Sequence, residues 1–366
     1  MSTLGERLRE RRVIICAGAG GVGKTTVSAA IALHLAREGR RVAVVTIDPA
    51  RRLAESLGLE RLGNEPQRVD PGRLALGGRG ELWAMMLDAK RTFDELIGQL
   101  APDARTRDEI LANRIYRNLS EAIAGSQEYT AIAKLYDLTH DARFDAIVLD
   151  TPPSRNALDF LDAPGRLTAF LDGRAMRLFL APAGIARVGA AGTSVALGGL
   201  RRLTGVDLLE DLSAFFRAIA DLTDGFRRRS AAVDRLLADP ATTFLVVTSP
   251  EHGAADEAIF FAARLRRAGL PFGALIVNRV HPLDPLERDW HETAARLEGA
   301  LGRSLARRVA RTHAQVQQLA RRDAASIARL ARELGERDPV CVPDFEVDVH
   351  DLEALAAVEA RLFAAP

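Results

Sequence analysis

Three groups of residues in this chain have the types and spacing that phosphate chemistry demands. The first is Gly18-Ala19-Gly20-Gly21-Val22-Gly23-Lys24-Thr25, which follows the pattern G-x-x-x-x-G-K-[ST]. Glycines without side chains let backbone N–H groups converge on phosphate oxygens. A helix beginning at the end of such a loop adds further donors and a favourable dipole. Lys24 is placed to neutralise β- and γ-phosphates, and the Thr25 hydroxyl to ligate Mg²⁺. Lysine occurs elsewhere only at Lys90 and Lys134, every other basic residue except histidine being arginine, so its presence at this point is informative. The competing reading is an ordinary glycine-rich turn between a strand and a helix.

The other two groups are acids at strand ends. The run 144–150 (FDAIVLD) is apolar and closes on Asp150, the form expected of a carboxylate that holds a magnesium shell. Asp150 would equally serve as a helix cap ahead of Pro152, and Asp145, at the entrance of the run, reads as a capping or surface acid. Asp48 closes Val44-Val45-Thr46-Ile47-Asp48 and is followed by Pro49-Ala50. A carboxylate there can orient or deprotonate water beside a γ-phosphate, or cap the segment that starts at Pro49. Asn278, at another strand end, carries an amide suited to adenine N6 and N7, although asparagine also commonly ends strands. Glu251 follows Thr248-Ser249-Pro250 and reads either as a first-turn acid or as a nucleoside contact.

Positioning these groups requires a parallel sheet. Short β-branched runs alternate with helical stretches, which predicts an α/β fold. Strands are expected at 13–17, 41–47, 82–87, 144–149, 243–248, 272–277 and 339–342, and a helix over 26–37. Uniformly apolar strands such as 146–149 suit a sheet covered on both faces. Residues 90–140 and 165–238 break the rhythm. Both read as helical, and together they predict a helical subdomain inserted into a single P-loop domain over 1–366. Leu208, Leu209, Leu212, Phe215, Phe216, Ile219, Leu222 and Phe226 recur at helical spacing. The stretch 178–200 carries one charge, Arg187, and is rich in glycine and alanine. The segments 178–200 and 208–226 are candidates for a client or lid surface, or for packing within the subdomain.

Composition narrows the functional classes. Fifty Lys and Arg against 49 Asp and Glu give a formal charge of +1, so no global field recruits nucleic acid or an anionic membrane. The N-terminus is charged, and its first apolar run, 13–17, is too short for a signal peptide, which predicts a cytoplasmic protein. No apolar run reaches the length of a membrane span. Cys16 and Cys341 sit in apolar strand-like runs and are expected to be buried, without a disulfide or metal role.

Taken together, the loop at 18–25, Asp48-Pro49-Ala50, Asp150-Thr151-Pro152-Pro153, Val277-Asn278 and the closing Val342-Pro343 resemble the arsenical-pump and tail-anchored-protein-targeting ATPase family. These enzymes have a deviant Walker A loop, as do the Min and Par ATPases and the nitrogenase iron protein. The resemblance runs nearly end to end. It implies an ATP-hydrolysing dimer that requires Mg²⁺ and works on a hydrophobic or membrane-protein client. The loop Gly18, Ala19, Gly20, Gly21, Val22, Gly23, Lys24, Thr25 and Thr26 would bind phosphate. Asp48 would be the water-activating switch I acid and Asp150 the switch II acid, both near the metal. Glu251 and Asn278 would lie beside the adenine.

The sequence departs from the family in four ways. The family's second loop lysine, which reaches the partner subunit's nucleotide, is Ala19 here. The cysteines that bind metalloid or zinc are absent. Methionines number four, Met1, Met85, Met86 and Met176, too few for a methionine-rich client groove. Switch II continues Ser154-Arg155-Asn156 in place of Gly-His. These departures keep a second class open, a nucleotide-binding regulatory subunit with little activity. They also allow a heterodimer with a lysine-bearing paralogue as well as a homodimer in which Arg51 or Arg155 substitutes. A nucleic-acid-positioning ATPase lacks the necessary positive surplus, and an iron–sulfur reductase lacks the cysteines.

Overall fold

The computed structural model describes residues 3–47, 52–74, 76, 79–114, 116–117, 127–151, 208–284, 289–345 and 348–364. Eight strands form one sheet: β1 (Val13–Ala17), β2 (Arg41–Thr46), β3 (Gln67–Arg68), β4 (Glu81–Met86), β5 (Ala146–Asp150), β6 (Thr242–Thr248), β7 (Phe272–Val280) and β8 (Val340–Pro343). Their order across the sheet is β3-β4-β2-β5-β1-β6-β7-β8. Every pairing is parallel except the two-residue antiparallel contact of β3 with β4.

The described helices are α1 (Leu4–Leu8), α2 (Lys24–Arg37), α3 (Arg52–Ser56), α4 (Pro71–Leu74), α5 (Ala89–Leu100), α6 (Ala104–Ala112), α7 (Gln127–Thr139), α8 (Leu208–Ala238), α9 (His252–Arg267), α10 (Trp290–Leu301), α11 (Arg303–Leu334) and α12 (Leu352–Leu362). They cover both faces of the sheet. Successive strand residues point to opposite faces, so β1 divides its side chains. Val13, Ile15 and Ala17 join a core with residues of α5, α7, α8, α9 and α11. Ile14 and Cys16 join a second core with residues of α1, α2, α3 and α12. All five β1 residues are buried, as are all of β5 and β6. That is why these strands read as unbroken apolar runs.

Over 208–226 four of the eight apolar side chains are described and all four are packed; those of Leu208, Leu209, Leu212 and Phe216 lie outside the described side chains. Phe215, Ile219, Leu222 and Phe226 are buried in the same core as Phe93, Leu96 and Ile97 of α5. Each contributes on the order of 1.5–3 kcal/mol by leaving water, so these four do not form an exposed client surface. The stretch 178–200 lies outside the described residues.

The expectation that both cysteines are buried holds for one. Cys16 is buried and Cys341 is exposed. Cys341 stands on β8, the last strand of the sheet, where one side has no neighbouring strand. Among the described residues, no helix is long and apolar enough to cross a membrane.

A C-terminal clasp holds the phosphate-loop helix. His34 and Arg37 of α2 both contact the Glu359 carboxylate of α12, His34 at 3.0 Å. The ring of Phe363 stacks on His34 at 3.5 Å.

Candidate functional site

The loop after β1 has little steric freedom. A Cβ on Gly18 would stand 1.9 Å from the carbonyl oxygen of Val247 in neighbouring β6, so only glycine fits. Gly23 adopts φ 89°, and a Cβ there would stand 2.2 Å from Nδ2 of Asn278. Gly23 is also the N-cap of α2, and no side chain caps the helix at that point. The first turn of α2 carries no acid of its own, and its positive dipole end faces the loop. This is the local geometry of an anion cradle.

Lys24 is the first residue of α2 and is only 6% exposed. Its Nζ donates to the carbonyl oxygens of Gly18 at 3.0 Å and Ala19 at 2.7 Å. The ammonium therefore lies over the loop it serves, held by charge-assisted hydrogen bonds.

Asp150 ends β5, which lies directly between β2 and β1, the strand that leads into the loop. Its register partners are Cys16 of β1 and Thr46 of β2. The carboxylate is buried, and Oδ2 accepts from Thr25 Oγ1 at 2.6 Å and from Thr46 Oγ1 at 2.8 Å. A hydroxyl and a carboxylate thus meet at the start of α2. Oxygen donors of this kind suit a hard divalent cation such as Mg²⁺, which takes one or two protein oxygens and completes its shell with phosphate and water. Thr151 fixes the strand end by donating from Oγ1 to the Cys16 carbonyl at 2.9 Å. Beneath the loop, burial pushes the Cys16 thiol up to about 12, so it takes no part as a thiolate.

Asn278 reaches the loop from β7. Its Nδ2 donates to the Val22 carbonyl at 2.9 Å, and the residue is 9% exposed. The next residue, Arg279, has φ 60°, unusual for a side chain larger than glycine. The pairing of β7 with β8 changes register between Val277 and Val280, so a local irregularity delivers Asn278 to the loop.

A cleft of about 500 Å³ opens beside this arrangement, lined among others by Gly21, Gly23, Thr26, Arg52, Asn278 and Arg279. Its far wall is the segment after β8, including Pro343, Phe345 and His350. The structure thus brings together Gly18 through Thr26, Asp150 and Asn278 from the sequence reading. Glu251 is the exposed N-cap residue of α9 and is not among the residues lining the cleft. Asp48, Arg51 and Arg155 lie outside the described residues. Three participants were not singled out from sequence. Thr46 has a detectable signal, a hydroxyl at the end of the strand that carries Asp48. Arg52 and Phe345 have none, because their place depends on which loops the sheet order brings together.

Comparison with known proteins agrees with this geometry. The family described as anion-transporting ATPase matches residues 11–299. An uncharacterized protein of Streptomyces coelicolor is 31% identical over 282 residues, 76% of this chain and 65% of that protein. The ATPase ARSA1 of Chlamydomonas reinhardtii is 27% identical over 288 residues, covering 74% of this chain and 35% of its own length. The ATPase get3 of Neurospora crassa is 25% identical over 272 residues, 74% of each chain. The chain thus spans less than two thirds of the length of the first two of these relatives. The family match takes in the loop at 18–25, Asp150 and Asn278 alike, and the chain belongs to the nucleotide-binding anion-transporting ATPase family.

Proposed function

We propose that this chain is a Mg²⁺-dependent ATPase that works as a dimer and couples hydrolysis to the handling of a hydrophobic client or membrane-protein partner. The observation that carries the catalytic reading is the convergence of Thr25 and Thr46 on Asp150 beside Lys24. The names of the relatives from Chlamydomonas and Neurospora support the activity.

In this reading the loop from Gly18 to Thr26 holds the phosphates, and Lys24 swings from the loop carbonyls to the β/γ-phosphate oxygens. Thr25 and Asp150 hold Mg²⁺, the latter directly or through water. The ion, when bound, offsets the charge of the phosphates. Asp48 orients the attacking water, accepts its proton and borders the metal shell. Asn278 and the 500 Å³ cleft receive the nucleoside, and Glu251, outside the cleft lining, would be a further contact on the nucleoside side. The chain acts as one P-loop domain over 1–366, to which 90–140 and 165–238 contribute a helical subdomain, and it works in the cytoplasm. Asp48→Asn should leave ATP affinity within about twofold of wild type, because the amide still accepts a hydrogen bond. Turnover should fall by at least about 10²-fold, since general-base assistance contributes that much. Undiminished hydrolysis in a steady-state assay would reduce Asp48 to a helix cap.

A second reading, a regulatory subunit with little activity of its own, is favoured by one observation. Ala19 stands where the family's second lysine would enter the partner's site. A charge supplied in trans accelerates phosphoryl transfer by roughly 10³–10⁵-fold. A homodimer of this chain lacks it at both sites unless Arg51 or Arg155 substitutes, whereas a heterodimer with a lysine-bearing paralogue restores it at one. We expect slow turnover by the isolated chain and a several-fold rise in Ala19→Lys if the chain self-associates. Fast wild-type turnover that survives Arg51→Ala and Arg155→Ala would contradict this account.

A further inference from the structure

The near-neutral balance of the whole chain conceals one strongly basic element. α11 carries eight arginines against two acids, Asp323 and Glu333, while the entire protein sums to +1. From Arg303 to Arg322 there are six arginines and no acid. Arg307, Arg308, Arg321 and Arg322 are exposed, and none of them forms an ion pair among the described residues.

The same helix carries two apolar stripes that differ in fate. Ala306, Ala310 and Ala320 are buried, small side chains that let α11 lie close against α10, to which it is joined by Gly302 alone. A second stripe starts at Leu334 and Leu330, both buried in the core, and runs toward the helix N-terminus. At helical spacing it continues through Leu319 and Val309 to Leu305, and Leu301, the last residue of α10, stands beside it at the hairpin tip. There it comes out into solvent: Leu319 is 39% exposed, Val309 40%, Leu305 44% and Leu301 40%. From 305 to 319 the exposed part extends about 21 Å at 1.5 Å per residue.

We propose that the α10–α11 hairpin is a docking surface for an anionic lipid bilayer, lying in the interface with Leu301, Leu305 and Val309 dipped among the acyl chains. Charge complementarity selects an anionic surface. Arginine stems also cover apolar ground while their guanidinium groups stay at the headgroups. A narrow row of leucines and valines on one protruding helix suits a fluid surface better than a rigid partner, because acyl chains close around it without a matching groove. Strong amphipathicity with arginine on the polar face is the pattern of helices that lie in the membrane plane. This inference does not depend on the nucleotide reading, since α11 supplies no residue to the cleft.

The test is co-sedimentation of the full-length protein with vesicles of phosphatidylcholine alone and of phosphatidylcholine mixed with phosphatidylglycerol. The protein should partition onto the mixed vesicles only, and less at raised salt. Arg307→Ser with Arg308→Ser should weaken partitioning about 30-fold, and separately Leu305→Ser with Val309→Ser at least about 10²-fold, given the usual worth of two basic residues or two buried aliphatic groups at a membrane. An unchanged circular dichroism spectrum and thermal midpoint show that each pair of substitutions leaves the fold intact. Two results with vesicles would overturn the proposal. One is failure of the wild type to bind mixed vesicles. The other is a leucine–valine variant that still binds vesicles fully, which would mark the helix as a general polyanion site. A leucine–valine variant that sediments at lower mass than the wild type without lipid would overturn it as well, by making the stripe a seam between two copies of this chain.

Discussion

Lys24→Ala should lower ATP affinity by at least about 10²-fold in calorimetry while leaving the thermal transition nearly unchanged. The ammonium is almost fully buried and gives two charge-assisted hydrogen bonds to Gly18 and Ala19. Hydrogen bonds to charged groups are each worth roughly 1.5–3 kcal/mol. Transferred to phosphate oxygens, two such bonds account for a loss of that size or more, because a tenfold change is about 1.4 kcal/mol. The fold should survive. The freed carbonyls border the cleft and can turn to water, and alanine is the best helix former at the start of α2. Wild-type affinity in this variant would sink the assignment of the loop as a phosphate cradle.

Asp150→Asn should separate binding from chemistry. In the wild type, Mg²⁺ should strengthen ATP binding, and in the variant affinities measured with and without Mg²⁺ should converge. Turnover should fall by about 10²-fold or more, the scale at which single groups that position or stabilise a transition state act. The structural cost is small. Oδ2 accepts from Thr25 and Thr46, and an asparagine oxygen can do the same, while its NH₂ can donate to either hydroxyl once that hydroxyl rotates. Asp150→Ala goes further and strips both hydroxyls of their acceptor, with a cost of about 1–3 kcal/mol for each group left unsatisfied. A variant pair in which Asn hydrolyses normally and only Ala is destabilised would make Asp150 a structural strand end.

What the sequence discloses is uneven for physical reasons. The inner strands were legible because two-sided burial keeps their middles apolar, as Ala146–Asp150 illustrates up to its functional acid. The phosphate loop was legible because its glycines answer to hard steric limits, such as the Val247 carbonyl beneath Gly18. β3 was not foreseen, since Gln67 and Arg68 are exposed and show no apolar pattern. Cys341 was misjudged because an apolar run at a sheet edge resembles one in the core, and strand order is not written in local sequence. The cleft wall at Phe345 and the partnership of Thr46 with Asp150 depend on that same order.

The sheet order has a consequence for how the chain is made. β1 lies in the middle, and its two neighbours are β5, ending at Asp150, and β6, ending at Thr248. The phosphate-loop strand leaves the ribosome ahead of both neighbours, and more than 200 residues must follow it before both of its edges are satisfied. At roughly 5–20 residues per second, that is a wait of tens of seconds or slightly less. During this interval Val13–Ala17 and the paired strands around Arg41–Thr46 present bare apolar edges. Nascent chains stalled before Ala146 should therefore be retained by chaperones and cleaved readily within 13–46, whereas chains stalled beyond Thr248 should resist cleavage there.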